Sequence, residues 1–177
     1  MATPFRYYLR VRYAECDAQK VVFNSRYAEY MDVAINELFR ALGFSAAMIA
    51  GELDFQLVKQ TTEWKAPARF DDVLEVRVAA TRLGTTSFTL FAEFRIAGDD
   101  AVIATIETVY VLVDAETLRK TPLSDQLRAA LERGAPGVVT DHAAYLDASA
   151  TEGHCHGVTG SQRKNRISVT QCADSSF

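Results

Sequence analysis

Asp17, a carboxylate, stands seven residues ahead of Asn24, which with Ser25 makes a helix-capping pair. Residues 12–30, R-Y-A-E-C-D-A-Q-K-V-V-F-N-S-R-Y-A-E-Y, put a carboxylate on an irregular stretch just ahead of a predicted helix N-terminus. The first turn of a helix presents unpaired backbone N–H groups and partial positive charge. Aimed at a carbonyl oxygen, such donors stabilise the oxyanion that develops when the carbonyl is attacked. A neighbouring carboxylate can attack the carbonyl carbon itself, or take a proton from a water that does. A thioester suits this modest equipment, because its carbonyl carbon is electrophilic and a thiolate leaves readily. No metal is required. An aspartate in a loop before a helix also has an ordinary structural role, in Asx-turns and caps, and Asp17 is one of 23 acidic residues.

The elements that must position these groups are legible from period. Residues 5–13 read as a strand, rich in aromatic and β-branched side chains. Asn24 and Ser25 are good helix-capping types, and Tyr27, Tyr30, Met31, Ala34, Leu38 and Leu42 then recur at steps of three and four. Gly43 stands where a helix-ending glycine is expected, and residues 46–50 allow one more short turn. From Asp54 onward the period changes to alternation, giving strands over residues 54–64, 74–81, 87–96 and 101–113. The links Gly84-Thr85-Thr86 and Gly98-Asp99-Asp100 are short, which forces antiparallel neighbours. One long helix precedes the sheet, so the economical arrangement lays the sheet across it, an α+β fold closed by an amphipathic segment at residues 123–131. Residues 1–134 form the predicted domain. Residues 135–177, rich in Gly, Ser, Thr and Ala, read as a low-complexity, disordered tail.

The segment around Asp17 resembles the signature of the 4-hydroxybenzoyl-CoA thioesterase family, in its acyl-CoA thioesterase branch. That signature runs aromatic–x–x–x–Asp–x–x–Gly–hydrophobic–Val–aromatic–His/Asn–x–x–Tyr, and Tyr13, Asp17, Val21, Val22, Phe23, Asn24 and Tyr27 match it. P-A-R-F-D-D (Pro67 to Asp72) and R-L-G-T-T-S (Arg82 to Ser87) resemble later family segments in the same order. The resemblance implies a hot-dog fold, an antiparallel sheet wrapped around one long central helix. It implies hydrolysis of an acyl-CoA to free acid and CoA without a cofactor, in a homodimer or homotetramer with sites at the subunit interface. It assigns Asp17 as nucleophile or general base, the Asn24 N–H as oxyanion donor and Tyr13 as a positioning group. Two departures stand out. The family glycine three residues after the aspartate is Lys20, and the histidine of many relatives is Asn24, which cannot serve as acid or base.

Coenzyme A carries phosphates, so cations should lie at the pocket mouth. Arg82 is the first candidate by resemblance, Arg119 and Lys120 come second, and Lys65 and Arg69 third; an ordinary solvated cation is the competing reading for each. Phe23 and Tyr27, with Tyr30 and Trp64, are candidate walls for an acyl pocket, or simply core. Two rival functions share the fold: a non-catalytic acyl-CoA-binding or scaffold protein, and a hydratase or dehydratase. The latter resembles enzymes that need a core histidine, whereas His142, His154 and His156 all lie beyond the matched domain.

Composition narrows the field further. At 177 residues, 49% hydrophobic and 24% charged, the chain fits one globular domain. A net charge of -4 gives no sign of a nucleic-acid surface. No stretch approaches the roughly 18 uninterrupted apolar residues of a membrane span, and the N-terminus lacks a signal-like apolar run. Cys16, Cys155 and Cys172 are odd in number without metal-ligand spacing, so the expected setting is the cytoplasm. His154-Cys155-His156 lacks a fourth ligand for a metal, and Arg163, Lys164 and Arg166 are too few to argue nucleic-acid binding.

Overall fold

The computed structural model describes residues 4–147. Helix α1, Arg26–Ala41, buries Tyr27, Tyr30, Met31, Ala34, Ile35, Leu38 and Phe39, a continuous apolar stripe at steps of three and four. Gly43 follows at φ +88°, a left-handed conformation that glycine adopts without steric penalty, and turns the chain into the short α2, Ser45–Ile49. Four long strands come next: β2 Asp54–Trp64, β3 Val73–Leu83, β4 Ser87–Ile96 and β5 Val102–Val113. With β1, Phe5–Arg10, and β6, Val139–Asp141, they form one sheet in the order β2-β5-β4-β3-β1-β6. Pairing is antiparallel except between β1 and β6, which run parallel.

Alternation sets the sheet's inner face. Val78, Ala92 and Ile106 stand side by side across β3, β4 and β5, as do Val76, Phe94 and Ala104. All six are at most 1% exposed and share one core with the stripe of α1. Phe39 of the helix stacks on Phe55 of β2 at 5.0 Å and meets Phe88 of β4 at 5.9 Å, fixing helix to sheet. Helix α3, Asp125–Arg133, adds Leu127, Ala130 and Leu131, and its Ser124 cap accepts the Leu127 N–H. This is the α+β hot-dog arrangement expected from the sequence.

Two expectations need correction. The first strand stops at Arg10 rather than residue 13, because Tyr13–Glu15 form a 3-10 turn. The boundary at residue 134 also falls too early. Ala135 belongs to the core, and β6 pairs with β1 through Arg6↔Val139, Tyr7↔Thr140 and Tyr8↔Asp141. A three-residue strand carries too little period to be seen in a sequence. Residues 148–177, with His154, Cys155, His156, Arg163, Lys164 and Arg166, lie outside the described residues. Because β6 covers β1, the uncovered edge belongs to β2. Leu57 and Val58, at its centre, are 51% and 57% exposed.

Candidate active site

Residues 15–23 form a tight hairpin that delivers Asp17 beside the start of α1. The Asp17 N–H donates to Val21 O at 2.9 Å, and the Phe23 N–H donates to Glu15 O at 3.0 Å. Cys16 and Val22 bridge between these bonds, and the Lys20 N–H donates back to Asp17 O at 2.9 Å. The returning arm is held from its other side by the loop after β2, through the Val22 N–H to Ala68 O at 2.8 Å and a Val21–Arg69 bridge. The chain then passes through the Asn24-Ser25 turn directly into α1.

Lys20 occupies the sharp bend at φ +63°. The loop therefore keeps the left-handed conformation that the family glycine would supply, with an L side chain that strains it. Lys20→Gly should stabilise the fold by about 1 kcal/mol, the relieved strain exceeding the entropy gained by the unfolded chain. A thermal melt should read this as a rise of about 2–4 °C. An unchanged or lower Tm would show that contacts of the lysine side chain outweigh the strain.

Asp17 is half-buried. Its Oδ1 accepts the Gln19 N–H at 2.8 Å and lies 3.5 Å from the Val21 N–H, the Asx-turn expected of a loop aspartate. Its Oδ2 accepts no hydrogen bond among the described residues. One carboxylate oxygen thus anchors the loop while the other is left for chemistry. At the helix start, the sequence suggested side-chain capping by Asn24 or Ser25. Ser25 is instead already helical at φ -68° and ψ -21°, and makes no side-chain cap bond. The Asn24 N–H likewise has no acceptor among the described residues. Within the first turn of α1 the Arg26 N–H donates to Phe23 O at 2.9 Å and the Ala28 N–H to Ser25 O at 3.1 Å, so the donor left for an oxyanion is the Asn24 N–H, beside the partial positive charge of the helix start.

Beside the hairpin lies a buried carboxylate paired to an exposed arginine, an arrangement that the sequence did not reveal. Glu15 is only 3% exposed. Its Oε2 accepts the Arg12 backbone N–H at 2.7 Å and the Tyr30 hydroxyl at 2.8 Å, while Oε1 accepts Arg12 Nε at 2.8 Å and faces Arg12 Nη2 at 2.5 Å. Burial pushes the Glu15 carboxyl up, but the bonds from Arg12 and Tyr30 outweigh it and hold the group below its ordinary value. Burial, then Glu15, pushes the Tyr30 hydroxyl well above the usual tyrosine range, so it remains a donor. Behind the cluster lies a cavity of about 410 Å³ lined by Tyr7, Arg10, Arg12, Glu15, Tyr30 and His142, among others. Asp17 does not line it. The Tyr7 hydroxyl and His142 Nδ1 meet at 3.0 Å on its wall, so this histidine is engaged away from the Asp17 loop.

The remaining candidates divide into three groups. Tyr13 and Phe23 flank the loop, 81% and 52% exposed, and Phe70 meets Tyr13 edge to face at 5.9 Å. Tyr27, expected to wall a pocket, is a core side chain at 2% exposed, packed on Tyr30, Trp64 and Phe94. Its pocket role is corrected accordingly: it faces inward from the buried stripe of α1. Arg69 lies next to the loop through its bridge to Val21, and Lys65 follows β2 at the same end of the sheet, beside a 350 Å³ hollow on the outer face.

Arg82, Arg119 and Lys120 are placed at the opposite end of the sheet. Arg82 is nine residues along β3 from Val73, about 30 Å of extended strand from the end of the sheet beside Asp17. Arg119 and Lys120 follow β5 and fold back on it, the Asp114 N–H donating to Arg119 O and Lys120 bridging Val113. A single chain does not bring these three cations to Asp17. Among the described residues, no group of three or more His, Cys, Asp or Glu could hold a metal, and no helix is long and apolar enough to cross a membrane.

Comparison with known proteins agrees with this architecture. The family described as the thioesterase-like superfamily matches residues 11–131, more than half of the chain. An acyl-CoA thioester hydrolase, YbgC, from Escherichia coli O6:H1 is 31% identical over 128 residues, covering 72% of this chain and 95% of that protein. A putative esterase from Aquifex aeolicus is 32% identical over 111 residues, covering 62% of this chain and 85% of the relative. Among solved structures, BH1999 gentisyl-coenzyme A thioesterase superposes with a TM-score of 0.65 at 29% identity, covering 71% of this chain and 98% of that one. The hairpin that presents Asp17, the uncapped start of α1 and the sheet around it all fall within the matched span: the chain belongs to the thioesterase-like superfamily.

Proposed function

We propose that the protein hydrolyses the thioester of an acyl-CoA to the free acid and CoA, with no cofactor. One observation carries the reading: the open Oδ2 of Asp17 stands on a hairpin that ends at the Asn24 N–H, which has no acceptor among the described residues and lies just ahead of a helix start. In this reading the thioester carbonyl oxygen accepts the Asn24 N–H, and Asp17 attacks the carbonyl carbon or activates a water that does. The CoA thiolate departs, water then hydrolyses the acyl-Asp17 anhydride where Asp17 has attacked directly, and Tyr13 positions the substrate from the rim. Similarity to an acyl-CoA thioester hydrolase and to a gentisyl-coenzyme A thioesterase supports the thioester class. A free Cys16 thiol agrees with a reducing, cytoplasmic setting.

The same reading makes the working form a homodimer joined through β2. The uncovered edge of that strand is a template for another strand. Antiparallel pairing of two copies turns the far end of one sheet toward the catalytic end of the other. Arg82, Arg119 and Lys120 of a second copy then reach the CoA phosphates at a site to which one chain gives Asp17, Phe23, Lys65 and Arg69. The test is a thiol-release assay over short, long and aromatic acyl-CoAs. Release of one thiol per acid formed is expected; saturable binding with no release across the panel would instead identify an acyl-CoA-binding protein.

A further inference from the structure

Glu15 is the most deeply buried carboxylate near the site, and the mechanism above does not use it. Burying a carboxylate is costly unless it is paired and hydrogen-bonded, and four donors from two elements converge on this one. Three come from Arg12, before the hairpin. The fourth is the hydroxyl of Tyr30, on the second turn of α1. The backbone of Glu15 is equally committed, because its carbonyl accepts the Phe23 N–H immediately before Asn24. Side chain and main chain of one residue thus tie the arm carrying Asp17 both to the helix body and to the residue preceding the oxyanion donor.

We propose that Glu15, clamped between Arg12 and Tyr30, is a positioning residue that sets the separation of the Asp17 carboxylate and the Asn24 N–H. This inference rests on the proposed thioesterase reading and deepens it. Asp17 lies two residues beyond Glu15 and Asn24 one beyond Phe23, so any slack in the clamp moves the two reacting sides relative to each other. The neighbouring cavity makes slack available. Its space lies directly against Glu15, Arg12 and Tyr30, so nothing packed there holds the hairpin if the bonds are lost. Attack geometry tolerates little displacement, and an error of about 1 Å can lower a rate by as much as about 100-fold.

Glu15→Gln keeps the volume, but whichever way the amide turns its NH2 faces an Arg12 donor, so the Arg12 side of the clamp must open, while the Tyr30 hydroxyl can still pair by accepting. Tyr30→Phe removes only the hydroxyl that reaches from the helix. In acyl-CoA thiol-release kinetics, each variant should lower kcat, by about tenfold for Glu15→Gln, with KM changed by no more than about twofold. The double variant should fall short of the product of the two losses, because both changes act through the one side chain at position 15. Tyr30→Phe keeps the question open to test should Glu15→Gln fail to fold. Loss of thermal stability with kcat unchanged at a temperature where the variants are folded would overturn the proposal, as would losses that simply multiply in the double variant. Asp17→Asn, measured alongside, separates the two readings. If it retains the wild-type rate the site itself is wrongly assigned; if it is inactive while Glu15→Gln and Tyr30→Phe are not slowed, only the clamp is.

Discussion

Asp17→Asn should lower kcat for acyl-CoA hydrolysis on the order of 10³-fold, equivalent to about 4 kcal/mol of barrier, while leaving the fold in place. The reason lies in the two oxygens of this carboxylate. Oδ1 accepts the Gln19 N–H at 2.8 Å, and an asparagine carbonyl oxygen can keep that bond and therefore the hairpin. Oδ2, which takes no bond among the described residues, becomes an amide nitrogen that can neither attack a carbonyl nor accept a proton. Asn24 cannot replace it, having no titrating group, and His142 is engaged with Tyr7. Circular dichroism and the melting temperature should match the parent protein. A rate within tenfold of the parent would remove Asp17 from the mechanism.

Val58→Asp is expected to produce a folded but nearly inactive monomer. Val58 is 57% exposed and sits at the register irregularity between Leu57 and Lys59, so a charge there disturbs little within the chain. It also lies near the middle of β2. In an antiparallel pairing of two β2 edges it comes close to its own copy, where two carboxylates would repel and lose water. Lys59 is already near that centre, but it shares an outer-face hollow with Glu63 and Glu107, which offset its charge. Sedimentation should show the parent as a dimer or larger and the variant as a monomer. With the second copy's cations gone, kcat/KM should fall by about 100-fold or more. A variant that stays dimeric and active would place the subunit contact elsewhere.

The periods that made α1 and β3 to β5 legible come from side chains at an apolar core, where chemistry and position are tightly coupled. Residues 54–64 match β2 without such a pattern, since none of them is buried and the register shifts between Leu57 and Lys59. Asp17 and Asn24 stood out as candidates for a different reason, their match to a family signature, since an aspartate ahead of a helix start has an ordinary structural role as well. Glu15 was not, since an acidic residue in a polar stretch carries no mark of burial until Arg12 and Tyr30 are seen around it. Tyr27 misled in the opposite way. A signature tyrosine on a helix looks like a pocket wall, and only the orientation of α1 shows that it faces Phe94. Lys20 at φ +63° could be anticipated only from the glycine it replaces. The cations were legible as residues but not as a group, because Arg82, Arg119 and Lys120 lie at the end of the sheet opposite the Asp17 loop.

A structure of the protein with a non-hydrolysable ketone analogue of an acyl-CoA, its sulfur replaced by methylene, would decide whether Asp17 and the Asn24 N–H meet one carbonyl. The analogue's carbonyl oxygen should lie about 2.7–3.1 Å from the Asn24 nitrogen, with the carbonyl carbon about 3–3.5 Å from Asp17 Oδ2 or one water away from it. A carbonyl bound elsewhere, for instance in the cavity beside Tyr7 and His142 with Asp17 facing empty solvent, would contradict that geometry.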